Sequence, residues 1–366
     1  MNYQSAIYSE YLSDSGMLKL VSDNALIKKM LQFEIALAAA QASVGLIPAD
    51  AASEIKNVLT QLVINPADLS AGTLQNGIPV ITLLELAKEK LSVNAKKYLH
   101  YGATSQDVMD TAHVLMTRDA IGLIEERVSG VMQQFTQLIN KYGDIVCMAR
   151  TRWQQAIPIT FGVKVNAWLQ PLQRQLQRLA EIKNRLLVVQ LGGAAGTLSH
   201  YPDKATELRD ALAKELGLQS MAQWHTQRDN ICEFTNWLAM LTGVFGKMGA
   251  DILIMAQSEV NEVVENAEGG GKSSAMPHKS NPVLSEALVA IAKMNAGLQS
   301  QILSGMVHVN ERDASAWILE WNAIPQMLIN TGTCLNHALT IAIKMKVNTE
   351  QMKNKVNQFL KNNPGK

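Results

Sequence analysis

Apolar residues recur along this chain at three- and four-residue spacings, over stretches far longer than a strand. Between 24 and 44, Leu26, Met30, Phe33 and Leu37 share one helical face, with Gly45 as a stop and Pro48 beyond it. Val163, Val165, Trp168, Leu172, Leu176 and Leu179 repeat the pattern across 163–190. The intervals 80–157, 203–276 and 283–324 contain no proline, which permits very long helices. The longest predicted helix runs over 229–266, about 55 Å at about 1.5 Å per residue. Gly243, Gly246 and Gly249 recur inside it. A glycine costs about 1 kcal/mol in a helix interior, so three on one side predict close approach of a neighbouring helix. Period-two runs of Val, Ile and Thr are rare. The pattern predicts an all-α protein. A small helical N-terminal domain (1–100), containing a loop from Asn65 to Pro79, precedes a central long-helix bundle (101–342). A tail (343–366) has room for little more than one helix.

Composition narrows the partners. The 33 Lys+Arg and 32 Asp+Glu residues leave a formal charge of +1, without the basic excess that nucleic-acid binding needs. Charged residues are 18% and apolar residues 47%, which excludes a disordered chain. Cys147, Cys232 and Cys334 lie far apart, as free thiols of a reducing compartment do. The polar N-terminus has no basic segment leading into an apolar run, so no secretory signal is expected. The most apolar stretch, about 231–261, is interrupted by Glu233, Lys247, Asp251 and Glu259, and reads as a buried helix and not a membrane span. The expectation is a cytoplasmic protein that binds neither nucleic acid nor membrane.

Four segments could carry chemistry. In 98–111, Thr104 and Ser105 offer hydroxyls at a helix start, where free N–H groups suit an anion. Asp107 reads equally well as an acid of the first helical turn. In 148–155, Arg150 and Arg152 flank Thr151 and suit a carboxylate, or are simply solvated. In 265–282, Gly269, Gly270 and Gly271 precede Lys272, Ser273 and Ser274 between long helices, as in a mobile loop that closes on a substrate. Gly271-Lys272-Ser273 is no P-loop, because Asn266 stands where the first glycine belongs and no strand precedes it. In 307–321, Arg312 could bind an anion or pair with Glu311 and Asp313. The seven histidines show no metal-ligand spacing, so no metal or other cofactor is expected.

Gly271 to Pro282 resembles the signature GSSxMPxKxNP of the fumarase/aspartase superfamily, departing by Lys272 directly before the serines. His100, Gly102, Thr104, Ser105 and Asp107 match the superfamily's HxGxTSxD block. GATSQDVMDT at 102–111, WHTQRD at 224–229, SSAMPHKSNPV at 273–283 and NERDASAWILEW at 310–321 are most similar to its cycloisomerase branch. The adenylosuccinate-lyase branch carries acid/base histidines where this chain has Arg152 and the segment 76–80. That weakens the alternative of a carbon–nitrogen lyase releasing fumarate. Intact Ser273, Lys279 and Asn281 argue against a crystallin-like scaffold. The resemblance implies a homotetramer with a helical-bundle core and active sites shared between subunits. It implies a C-terminal domain that is here cut short, and a small tricarboxylate substrate lactonised without a cofactor. It implies Ser273 as the proton-transfer group. The substrate would be held by Lys279, Asn281, Arg312, Thr104, Ser105, Thr151 and Gln154, with Arg150 and His100 as further contacts.

Overall fold

The structure, a computed structural model, describes residues 5–364. Two short helices, α1 (Ser9–Leu12) and α2 (Ser15–Leu20), lead into α3 (Asp23–Ser43), α4 (Ala49–Gln61), α5 (Pro66–Asn76) and α6 (Val80–Glu89). Then come α7 (Ser105–Tyr142), a hairpin of β1 (Val146–Thr151) and β2 (Gln154–Thr160), α8 (Phe161–Leu186) and α9 (Ala205–Leu216). The chain continues through α10 (Asp229–Met255), β3 (Val263–Val264), α11 (Val283–Ser304), α12 (Ala314–Lys344), β4 (Lys346–Val347) and α13 (Thr349–Asn362).

Helices α7, α8, α10, α11 and α12 form the bundle. Its core buries Phe135, Trp168, Trp237 and Phe245, each side chain contributing roughly 1.5–3 kcal/mol of apolar transfer. The indole N–H groups find partners: Trp168 donates to Asp251 (2.7 Å) and Trp237 to the Gln175 carbonyl (2.9 Å). Two of the three helix glycines are where a neighbour comes close. A Cβ on Gly246 would lie 2.6 Å from Ala292 Cβ, and one on Gly249 would lie 2.6 Å from the Ser285 carbonyl. Gly243 meets nothing within 4 Å, so close approach within this chain does not explain it. By length and composition α10 is apolar enough to cross a membrane. Much of its apolar surface packs on α8, α11 and α12, and three of its four charged residues are paired, Glu233 with Arg185 and Lys247 with Asp251.

A second core joins residues between Ile27 and Leu99 to the first turns of α7, to Val189–Leu216 and to Trp317 of α12. It is therefore not built from the first hundred residues alone. Residues 65–79, expected as a loop, are mostly helix α5. Asn65 accepts from Ala67 N (3.1 Å), Pro66 occupies the first helical position and Gly77 ends the helix at φ 75°. Those are ordinary start and stop signals at close spacing.

The predicted 229–266 helix is also corrected. It stops at Met255, leaving α10 at 27 residues while α7 runs to 38. Asn261 turns left-handed (φ 49°), and Val263–Val264 then pairs antiparallel with Lys346–Val347. Tertiary contacts, and not local propensity, break the helix. The β1–β2 hairpin went unpredicted for a similar reason. Its two-residue turn places Arg152 (φ 48°) and Trp153 (φ 71°) in the left-handed region, where Asn-Gly is the usual signal.

Candidate functional site

The resembling blocks gather at the two ends of the bundle. At one end, α7 begins at Thr104, whose backbone N–H donates to Asp107 Oδ2 (3.0 Å). Asp107 is fully buried and also accepts from Gly192 N (2.8 Å) and Gly193 N (2.9 Å). His225 Nε2 meets its Oδ1 at 2.8 Å. Asp107 is thus the first-turn acid of α7 and also the pin that holds the 192–193 turn beside Thr104 and Ser105.

One turn along α7, Asp110 receives the guanidinium of Arg228 in a bidentate pair (2.8 and 3.0 Å) and the Trp317 indole N–H (3.0 Å). Arg228 also donates to Glu320 through Nε (2.8 Å) and Nη2. Burial lowers the basicity of this guanidinium, but Asp110 and Glu320 outweigh it and leave Arg228 above its ordinary range. Burial raises the Glu320 carboxyl, against the pull of Arg228. One cation between two carboxylates locks α7, α10 and α12 together.

Arg312 lies just before α12. Its Nε donates to Gln106 (3.0 Å) and its Nη2 to the Ala194 carbonyl (3.1 Å). It pairs with neither Glu311 nor Asp313, and the Asp313 side chain caps α12 instead. Arg312 is exposed and forms no ion pair among the described residues. His100 stands in the left-handed region (φ 62°) with Nδ1 at 2.7 Å from buried Glu34. Burial lowers its pKa, but the Glu34 carboxylate outweighs burial and holds the imidazole above its usual value.

The other end carries the remaining residues. Arg150 is locked by Glu262 in a bidentate pair (2.9 and 2.7 Å), so its guanidinium is a structural tie between the hairpin and the turn after α10. Thr151 and Gln154 are register partners beside the hairpin turn, and both are exposed. In the glycine-rich loop, Gly269, Gly270 and Gly271 all have positive φ (100°, 144° and 58°). Gly271 cannot be otherwise, since a Cβ there would sit 1.9 Å from the Asn281 carbonyl. Asn281 closes the loop on itself: its backbone N–H and its Nδ2 both donate to the Gly271 carbonyl at 2.8 Å. Lys272 bridges antiparallel to Ser280. Ser273 Oγ accepts from Met276 N (3.2 Å) and, at greater length, Ala275 N (3.4 Å). Lys279 is exposed on the same loop. Glu265 anchors the base by accepting from Leu284 N (3.0 Å) and Ser285 N (2.6 Å) at the start of α11.

One chain therefore brings His100, Thr104, Ser105 and Arg312 to one end, and Arg150, Thr151, Gln154, Ser273, Lys279 and Asn281 to the other. Arg228 caps the start of α10, and Glu262 follows its end, across 27 helical residues or about 40 Å. The supporting residues Gln106, Asp110, His225, Arg228 and Glu320 lie inside the resembling blocks 102–111, 224–229 and 310–321, but nothing in the sequence singled them out there. Glu34 and Glu262, fully buried partners of His100 and Arg150, had no signal in the sequence.

A lyase family profile matches residues 7–297. The 3-carboxy-cis,cis-muconate cycloisomerase of Acinetobacter baylyi is 38% identical over 356 residues, covering 95% of this chain and 79% of that protein. The cycloisomerase of the same name from Pseudomonas aeruginosa is 36% identical over 352 residues, covering 95% and 77%. The crystal structure of the 3-carboxy-cis,cis-muconate lactonizing enzyme of Pseudomonas putida superposes with a TM-score of 0.92 at 36% identity, over 97% of this chain and 80% of that one.

Proposed function

The chain belongs to this lyase family, within the fumarase/aspartase superfamily, and from that premise we propose that it is a cofactor-independent cycloisomerase. It converts 3-carboxy-cis,cis-muconate to 4-carboxymuconolactone, a step in the degradation of protocatechuate. Relatives bearing the cycloisomerase name align over nearly the whole chain. The observation that carries the mechanism is the Ser273 hydroxyl, whose oxygen already accepts backbone N–H groups of its own loop.

In the reaction a substrate carboxylate oxygen forms a C–O bond to one carbon of a double bond. The electron pair moves to the neighbouring carbon and onto the carboxylate attached there, as an aci-carboxylate. The Ser273 O–H then gives its proton to that carbon. The oxygen left behind is an alkoxide, unstable in water because a serine hydroxyl is a very weak acid. The Ala275 and Met276 N–H groups stabilise it in place, as an oxyanion hole does, and solvent restores the proton. Lys279, exposed on the same loop, holds a substrate carboxylate. Asn281 acts by closing the loop through Gly271, so its contribution to binding is indirect. Thr104, Ser105, Arg312 and His100 form the second wall, and Thr151 and Gln154 the third.

The second wall stands about 40 Å from the other two in one chain, so a complete site needs more than one copy. We assign a homotetramer with the helices of neighbouring copies antiparallel, which brings opposite ends together. The three buried free cysteines favour the cytoplasm as its compartment.

The test is loss of the conjugated-diene ultraviolet absorbance of 3-carboxy-cis,cis-muconate. Ser273→Ala is expected to lower kcat by a factor on the order of 10²–10⁴, with KM much less affected. Turnover by Ser273→Ala close to the wild-type rate would remove Ser273 from the proton-transfer role. Release of fumarate from adenylosuccinate, with no turnover of the muconate, would replace the reaction itself.

A further inference from the structure

We propose that Gln106 is a positioning residue that aims Arg312 at a carboxylate of the substrate, an inference that rests on the proposed role of Arg312 in the site. Gln106 follows Ser105 in the first turn of α7 and is 1% exposed. Its amide is fixed from the nitrogen side. Nε2 donates to the His225 carbonyl (2.8 Å) and, at greater length, to Asp110 Oδ2 (3.2 Å). A carbonyl and a carboxylate paired with Arg228 only accept, so the amide cannot turn over and Oε1 must face the other way. There it accepts from Arg312 Nε (3.0 Å).

The way Arg312 is held decides which of its N–H groups are free. Nε and Nη2 share one edge of the guanidinium, and that edge is filled by Gln106 Oε1 and by the Ala194 carbonyl (3.1 Å). Nη1 donates to none of the described residues. It forms the end of the fork together with the outer N–H of Nη2. Two parallel N–H groups on an exposed arginine match a carboxylate.

Both oxygens that hold Arg312 are neutral, and that is what sets it apart. Arg150 gives both terminal nitrogens to Glu262, and Arg228 is shared by Asp110 and Glu320. Their charges are compensated within the chain; that of Arg312 is not. The two neutral acceptors are in turn fixed from beneath by buried carboxylates. Asp110 engages Gln106 Nε2, and Asp107 pins the Gly192 and Gly193 N–H groups just before Ala194. A free arginine side chain samples many rotamers, and one held along an edge loses less freedom when it binds. Packing alone does not account for Gln106. An amide oxygen desolvated for one exposed partner adds little to core stability, but it does orient that partner.

A double-mutant cycle read by steady-state kinetics with 3-carboxy-cis,cis-muconate tests this. Gln106→Met keeps the length and burial of the side chain and removes the acceptor. It is expected to raise KM about 10-fold, part of what a hydrogen bond to a charged group contributes. Its kcat should stay within about threefold. Arg312→Gln is expected to raise KM about 10- to 100-fold. In the Arg312→Gln background, Gln106→Met should change KM by less than about twofold, because the guanidinium it acts through is gone. A glutamine with a structural role alone would give equal factors in both backgrounds. That result, or an unchanged KM in Gln106→Met, overturns the assignment. Should Gln106→Met fail to fold, Gln106→Glu replaces it. The shape is kept, and a carboxylate against the guanidinium edge compensates its charge, so KM should rise at least as much, and only where Arg312 is present. A raised KM in Arg312→Gln beside a wild-type KM in the Gln106 variant sinks the positioning role alone. A wild-type KM in Arg312→Gln sinks the proposed role of Arg312, and Gln106 with it.

Discussion

Asp107→Asn is nearly isosteric, yet it should be among the most destabilising single changes in this chain. Asp107 is fully buried and its two oxygens accept four hydrogen bonds. An amide has one acceptor oxygen, so one pair of donors must lose its partner. Turning the NH₂ toward Oδ2's position confronts Gly193 N and Thr104 N, neither of which can accept. Turning it toward Oδ1's position confronts Gly192 N and His225. The imidazole can adapt by moving its proton to Nδ1, but Nδ1 is buried with no partner. Either orientation leaves two buried donors unsatisfied, at about 1–3 kcal/mol each, and removes charge assistance from the bonds that remain. The expected loss is about 3–5 kcal/mol, a large share of a typical domain's 5–15 kcal/mol. Urea denaturation at one fixed protein concentration measures it. Asp107→Asn combined with His225→Ala should lose less than the sum of the two single changes, because they share a contact. A loss below about 1 kcal/mol, or additive effects, would refute the pinning role and leave Asp107 an ordinary first-turn acid.

Two further outcomes follow from the site. If the walls come from different copies, mixing unfolded Ser273→Ala and Arg312→Gln chains and refolding them together should restore roughly a quarter of wild-type activity, from sites that draw both intact residues; a monomeric mass by light scattering with full activity excludes shared sites. His100 should titrate above its ordinary 6.5 in the folded protein, despite the opposing effect of burial, because Glu34 favours the imidazolium. Its stabilising contribution is then complete below the unfolded value and is lost as pH rises through the folded one. In Glu34→Gln burial, helped by Lys88, outweighs the smaller upward pull of Asp107, and the value should drop below 6.5; an NMR titration that finds wild-type His100 at or below 6.5 sinks the argument.

The helical architecture was legible in the sequence, and so were the segments proposed to carry the site. Long proline-free stretches with apolar residues at helical spacing determine bundle helices, because burying one face is the dominant local demand. The Ser273 loop was legible because three glycines, three serines and two prolines are concentrated between two long helical stretches. Gly246 and Gly249 were legible as contact points, since a glycine in a helix interior is unfavourable unless a neighbour needs the room. Helix α5 was equally open to reading, with Pro66 and Gly77 in their ordinary places. Other features depend on residues far apart along the chain. Arg150 and Arg152 look alike in sequence, and only Glu262, 112 residues further on, decides which one is neutralised. Asp107 became a hub through Gly192, Gly193 and His225, and His100 acquired its charge preference from Glu34. The end of α10 followed from pairing with β4, and no local propensity stops a helix there. Local signals determine what a segment can be. Which buried carboxylate meets which cation is decided by packing, because pairing depends on three-dimensional proximity that spacing along the chain does not encode.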